Sequence, residues 1–170
     1  MSNIEDDLKK AIIFKEDERF EDSLILLEKL YKKNPNNEIK NVLIEVLFAY
    51  GAYLNDIYVV DYQKAVECFK KIIELDPSNY RAHYNLGIAF TNLEDYDSAL
   101  DSCNKALAIK PDYKHCYYNI GLIFELKEDL KGALEYYEKT LDLDPKFTYG
   151  IQAVHHIREL LDSQRRENLQ

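Results

Sequence analysis

Residues 81–100 read RAHYNLGIAFTNLEDYDSAL, and residues 115–134 read HCYYNIGLIFELKEDLKGAL. Tyr84, Asn85, Leu86 and Gly87 of the first stretch are answered 34 positions later by Tyr118, Asn119, Ile120 and Gly121 of the second. Phe90 is answered by Phe124, and the pair Ala99 and Leu100 by Ala133 and Leu134. A fixed period of this size is the mark of a repeat architecture, in which one supersecondary unit is written several times.

The prolines extend the period outward. Pro77, Pro111 and Pro145 stand 34 apart, and Pro35 stands 42 before Pro77. Proline cannot continue a helix and biases its predecessor away from the α region, so each marks a helix stop and a new start. Four repeats follow, at 4–37, 38–79, 80–113 and 114–147. Each reads as two amphipathic helices joined by a short polar turn such as NLED at 92–95 or LKED at 126–129. After the turn comes Phe20, Tyr62, Tyr96 or Leu130, and three residues on a small residue, Ser23, Ala65, Ala99 or Ala133. The small residue lets the second helix close on the first. A lone hairpin cannot bury its apolar face, whereas stacked hairpins can.

Composition agrees with helix. The 170 residues are 46% hydrophobic and 31% charged, with only five glycines and four prolines, too few for a turn-rich β fold. The 22 basic and 31 acidic residues are interleaved, giving a net charge of −9 with no basic stripe to neutralise a phosphate backbone, which argues against nucleic acid as a partner. The opening MSNIEDDLKK has no apolar signal region, no run approaches the length of a membrane span, and three cysteines make neither a disulfide framework nor a zinc ribbon. A soluble, cytoplasmic protein is expected.

These residues resemble the tetratricopeptide repeat family. In 80–113, Leu86, Gly87, Phe90, Tyr96, Ala99, Ala106 and Pro111 fall on the family's pattern, and 114–147 follows it nearly as well. The repeat at 4–37 is degenerate, with Ala11 in the glycine slot and Ser23 in the second small-residue slot. The repeat at 38–79 departs further: Glu45 stands where the small residue is expected, and eight extra residues precede Tyr62. The apolar positions Ile151, Val154, Ile157, Leu160 and Leu161 recur at helical spacing, so 148–162 reads as a capping helix, followed by a polar tail at 163–170. The expectation is an all-α, right-handed superhelical array of helix-turn-helix hairpins forming one domain over 1–162.

Fold does not supply function, so the surface is read separately. The resemblance implies a concave groove lined by the first helix of each hairpin. It places there Arg81, Tyr84, Asn85, Ile88, Thr91 and Asn92, then His115, Tyr118, Asn119, Leu122, Glu125 and Leu126. Leu8, Ile12, Val42 and Val46 would join them from the first two repeats. Aromatic, aliphatic and carboxamide side chains suit a peptide or helical segment. Packing between repeats is the other reading of the tyrosines and asparagines. Family members that clamp the acidic C-termini of chaperones use Lys, Asn and Arg; here the corresponding slots hold Leu8 and Ile12, Val42 and Val46, or Tyr84 and Ile88. A partner of that dicarboxylate type is not expected.

His83, His115, His155 and His156 have no nucleophile or glycine-rich loop at a meaningful spacing, so neither catalysis nor a cofactor is expected. Cys103 and Cys116 read as small buried hydrophobes and Cys68 as an edge thiol; a metal site on Cys103, His115 and Cys116 lacks a fourth ligand. The insertion carries a helix apolar nearly all round, then Ile57, Tyr58, Val59 and Val60. Either it folds back to cover that helix, or Phe48, Tyr50, Tyr53, Ile57 and Tyr58 form a surface for a partner or for a homodimer. The functions consistent with this reading are a non-enzymatic scaffold or adaptor that binds a peptide in its groove, or a dedicated chaperone of the secretion type that shields an apolar client segment.

Overall fold

The structure is a computed structural model describing residues 4–167. Among them lie nine helices and no strand: α1 Ile4–Glu16, α2 Phe20–Lys33, α3 Asn37–Leu54, α4 Tyr62–Leu75, α5 Tyr80–Asn92, α6 Tyr96–Ile109, α7 Lys114–Leu126, α8 Leu130–Leu143 and α9 Thr148–Glu167. The residue before each proline, Asn34, Asp76, Lys110 or Asp144, has left the helix and donates its N–H to the carbonyl four residues back. Proline therefore sits where a continuing helix would need the donor it lacks. Asp61, Asp95 and Asp129 cap α4, α6 and α8, their carboxylates accepting from the backbone N–H of Lys64, Ser98 and Gly132. Caps of this kind stabilise a helix by about 1 kcal/mol each.

Hairpins close at the small residues. Ser23, Ala65, Ala99 and Ala133 are wholly buried. In the first hairpin the Ser23 hydroxyl also donates to the Ala11 carbonyl at 2.7 Å. A Cβ on Gly87 would lie 2.8 Å from Cys103 Sγ, and one on Gly121 would lie 2.6 Å from the Tyr137 ring. The second hairpin corrects the expectation at Glu45, which is exposed. Its glycine is Gly51, where a Cβ would meet the Phe69 ring at 2.8 Å and Cys68 Cβ at 3.3 Å.

The eight-residue excess is consequently split. Gly51 stands 16 residues after Pro35, whereas Gly87 and Gly121 stand 10 after theirs, and Tyr62 follows Gly51 by 11 residues where Tyr96 and Leu130 follow by 9. Most of the excess lengthens α3, and the remainder widens the turn at 55–61. The other hairpin turns place Glu18, Glu94 and Glu128 at positive φ two residues before the second helix; Val60, at φ 56°, takes that place here. A β-branched residue is strained in this region.

The buried side chains form a line of cores along the array, one across α1 to α5, one across α5 to α7 and one joining α7, α8 and α9. Val59 packs on the first of these, and so do Val42, Ile44 and Phe48, so α3 is covered on most sides. Ile57, Tyr58 and Val60 stay exposed. Cys68 is buried, not an edge thiol, because it lies beneath Gly51. Burial pushes its thiol up to about 11. At the far end, α9 buries Gly150, Val154 and Ile157 and leaves Ile151 and Leu160 to solvent. Its helix continues through the first residues expected as tail, to Glu167; residues 168–170 of that tail lie outside those described. Among the described residues no helix is long and apolar enough to cross a membrane.

Candidate peptide-binding face

The first helices of the hairpins and α9 meet along one face. Lys15 of α1 donates to Glu45 of α3 at 2.5 Å. Arg81 of α5 lies over the Phe48 ring of α3 at 5.5 Å, and Asn92 of α5 donates to Asn55, next after α3, at 3.0 Å. Tyr84 of α5 and His115 of α7 have ring centroids 6.2 Å apart. Glu125 of α7 faces His156 of α9 at 3.9 Å, and Tyr118 of α7 faces Tyr149 of α9 at 6.5 Å. Each pair joins neighbouring hairpins, so the face is continuous from α1 to α9.

Rings dominate its α5-to-α9 half. Tyr84 packs edge-on against Tyr113, His115 against Phe147, and Phe147 against Tyr118, while Tyr149 is tilted against Phe147. Such pairs contribute about 0.5–1.5 kcal/mol each beyond the area they bury. Burial pushes the phenol of Tyr84 well up and raises that of Tyr118, where the Glu125 charge adds to the effect. Burial, and then the Lys114 charge, lowers His115 from its ordinary value. Tyr137, buried beneath this layer in α8, donates its hydroxyl to Glu125 Oε2 at 2.6 Å.

Of the expected lining residues, Arg81 and Asn92 are exposed, and Tyr84, Asn85, Ile88, His115, Tyr118, Leu122 and Glu125 are part-exposed. Asn85 turns its amide back to the Arg81 carbonyl at 2.8 Å. Asn119 differs: it is 6% exposed and its amide reaches Cys103 Sγ at 3.5 Å, on the neighbouring hairpin's second helix. Asn85 holds the same place, one residue past Tyr84 and beside the buried Leu86, so helix register does not separate the two; their partners do, a thiol of the neighbouring hairpin for Asn119 and a carbonyl of its own helix for Asn85. Thr91, Leu8 and Val46 are likewise buried, with Thr91 donating to the Gly87 carbonyl at 2.9 Å. With Gly51 as the glycine of the second repeat, Phe48 and Ala52 take the lining positions expected of Val42 and Val46.

The surface expected around the insertion is also divided. Tyr50 is 7% exposed, stacked on Phe20 at 5.2 Å with its hydroxyl bonded to Glu21, so it belongs to the core. Phe48 is part-exposed beneath Arg81. Tyr53, Ile57 and Tyr58 are exposed, Tyr58 at 89%. Cys103 and Cys116 are fully buried, and the hydrogen bond between their thiols, then burial, pushes Cys116 well up. Among the described residues no cluster of three His, Cys, Asp or Glu side chains could hold a metal ion.

The tetratricopeptide repeat pattern matches residues 80–113 and 116–147, and a second TPR repeat pattern matches 61–93. The chain belongs to the tetratricopeptide repeat family. Solved tetratricopeptide structures share its fold. A crystal structure of MamA is 27% identical with a TM-score of 0.68, over 94% of this chain and 85% of that one. The first TPR of Spaghetti (RPAP3), solved bound to the HSP90 peptide SRMEEVD, is 25% identical with a TM-score of 0.63, over 70% of this chain and 93% of that one. The first TPR domain of human RPAP3 is 25% identical with a TM-score of 0.65, over 72% and 95%. No curated protein sequence matches the chain. Tetratricopeptide domains are protein-interaction modules.

Proposed function

We propose that the chain is a non-enzymatic interaction module that holds a peptide or helical segment along the face made by α3, α5, α7 and α9. The observation that supports this most is the unbroken strip of part-exposed Tyr84, Ile88, Tyr118 and Leu122, flanked by Phe147 and Tyr149. Rigid rings beside aliphatic side chains give contact area at small cost in side-chain entropy, which suits recognition of a segment that is itself ordered on binding. The RPAP3 domain similar in fold was solved with an HSP90 peptide. This array offers such an acidic peptide little: the positions a carboxylate clamp would use hold Leu8 and Ile12, Phe48 and Ala52, or Tyr84 and Ile88. Its segment is held by apolar contact and backbone hydrogen bonds more than by charge.

The test is selection from an unbiased library of displayed peptides, followed by titration of a synthesised binder. Replacing Ile88 and Leu122 together by Ser lowers its affinity at least about ten-fold, as loss of two apolar contacts of about 1 kcal/mol each requires. Circular dichroism reports whether the helices persist. Unchanged affinity moves the ligand off this face, and binding of SRMEEVD as tight as that of the selected peptide contradicts the reading against acidic partners.

A further inference from the structure

We infer that the α7–α9 end of this face is a subsite for a basic side chain of the bound segment, an arginine by preference. The inference rests on the groove reading above and names the partner chemistry it takes. Glu125 stands on the face with its side chain 29% exposed. Its Oε2 is occupied by the Tyr137 hydroxyl at 2.6 Å, while Oε1 faces His156 Nε2 at 3.9 Å. Among the described residues no lysine or arginine bonds to it, whereas Glu21, Glu28, Glu45, Asp97 and Asp144, which also link neighbouring units, each have a lysine, and Glu138 has Arg158.

From Glu125 the face continues through Tyr118 into a run of rings toward the start of α7. Tyr118 lies 5.3 Å from Tyr137, whose hydroxyl holds Glu125, and Tyr118 faces Phe147 at 5.5 Å and Tyr149 at 6.5 Å. Tyr149 is 66% exposed, so its ring is open to a ligand. A cation set among aromatic faces and a carboxylate gains from both, and the planar guanidinium, less strongly hydrated than an ammonium, stacks on rings while donating to a carboxylate oxygen. Tyr137 fixes the carboxylate before the ligand arrives, so little ordering is required on binding. The chain's net charge of −9 draws the same ligands from a distance.

The experiment uses the full chain and peptides selected from a random displayed library. Tight binders carry an arginine, and exchanging it for the neutral isostere citrulline in the synthesised peptide weakens binding at least about ten-fold, as expected for loss of a charge-assisted pair. Glu125→Gln gives a similar loss with the arginine peptide and little change with the citrulline peptide, since glutamine still accepts from Tyr137. The citrulline comparison needs no altered protein, so the result stands even if Glu125→Gln folds poorly. A binder that loses affinity with Ile88→Ser and Leu122→Ser yet is indifferent to citrulline leaves the groove reading intact and overturns the subsite. A binder indifferent to all of these overturns both, and a selection without arginine-bearing binders overturns the subsite.

Discussion

Replacing Gly121 by Leu tests the packing that closes the last hairpin, α7 on α8. A Cβ at this position would fall 2.6 Å from Tyr137 Cδ1, 2.7 Å from Cε1 and 3.1 Å from Cγ. Carbon atoms rest at about 3.5–4.0 Å, so the ring would have to retreat by roughly 1 Å. It has nowhere to go. Tyr137 is 1% exposed, the clash reaches the root of its ring as well as the edge, and its hydroxyl is tied to Glu125 on the opposite helix. Overpacking of this kind costs about 1–3 kcal/mol, and the upper end applies because three further carbons follow the first. Leucine recovers about 1 kcal/mol over glycine through helix propensity, leaving a net loss of about 2 kcal/mol. For a chain of this length that lowers the melting temperature by about 4–8 °C. Thermal unfolding followed by circular dichroism measures it, and Tyr137→Leu supplies the control. With the ring gone, adding Gly121→Leu costs less than it does in the native chain, a coupling of about 1–2 kcal/mol. A Gly121→Leu protein that melts at or above the wild type, or strict additivity with Tyr137→Leu, would refute the close crossing.

Three further outcomes are expected. Asn119→Ala lowers stability by about 1 kcal/mol because the lost amide leaves a gap beneath the face, while Asn85→Ala, whose amide only turns back on its own helix, changes the urea midpoint little. Val60→Gly removes a β-branched side chain, 52% exposed, from φ 56° and raises the melting temperature, by the equivalent of about 1 kcal/mol; a lowered midpoint would refute the strain. The hydrogen bond from Lys114, and then that from the Lys146 N–H, hold the Asp144 carboxyl below its ordinary 3.8. A carboxylate with a lowered folded pKa contributes stability above its unfolded value and loses it as pH falls through the folded one. The difference between wild type and Asp144→Asn, read by urea unfolding, is accordingly present near neutral pH and vanishes at strongly acid pH.

Much of the fold was legible in the residues themselves because the repeat signals are local. Proline at 35, 77, 111 and 145 ends a helix wherever it stands, and a small residue three places after the turn permits a close crossing in any hairpin. Gly87 and Gly121 declared their register because the spacing around them is regular. The arrangement of the second repeat was decided only in three dimensions. Residues 42–54 are apolar nearly all round, so the helical period does not say which side faces the next helix, and eight extra residues can be accommodated in the helix or in the turn. Packing chose: the Phe69 ring leaves no room for a Cβ, so Gly51 and not Glu45 sits at the crossing, and that choice buries Tyr50, Cys68 and Val46 while turning Phe48 toward Arg81. The same holds for the face. That Tyr and Asn recur at 84–85 and 118–119 was plain from the sequence, but a repeated pair does not have to do a repeated job. Asn85 stays at the surface and Asn119 reaches under it to Cys103, and Glu125 gains its significance from Tyr137 and His156, which lie 12 and 31 residues away and meet it only when the last hairpin closes and α9 packs on it.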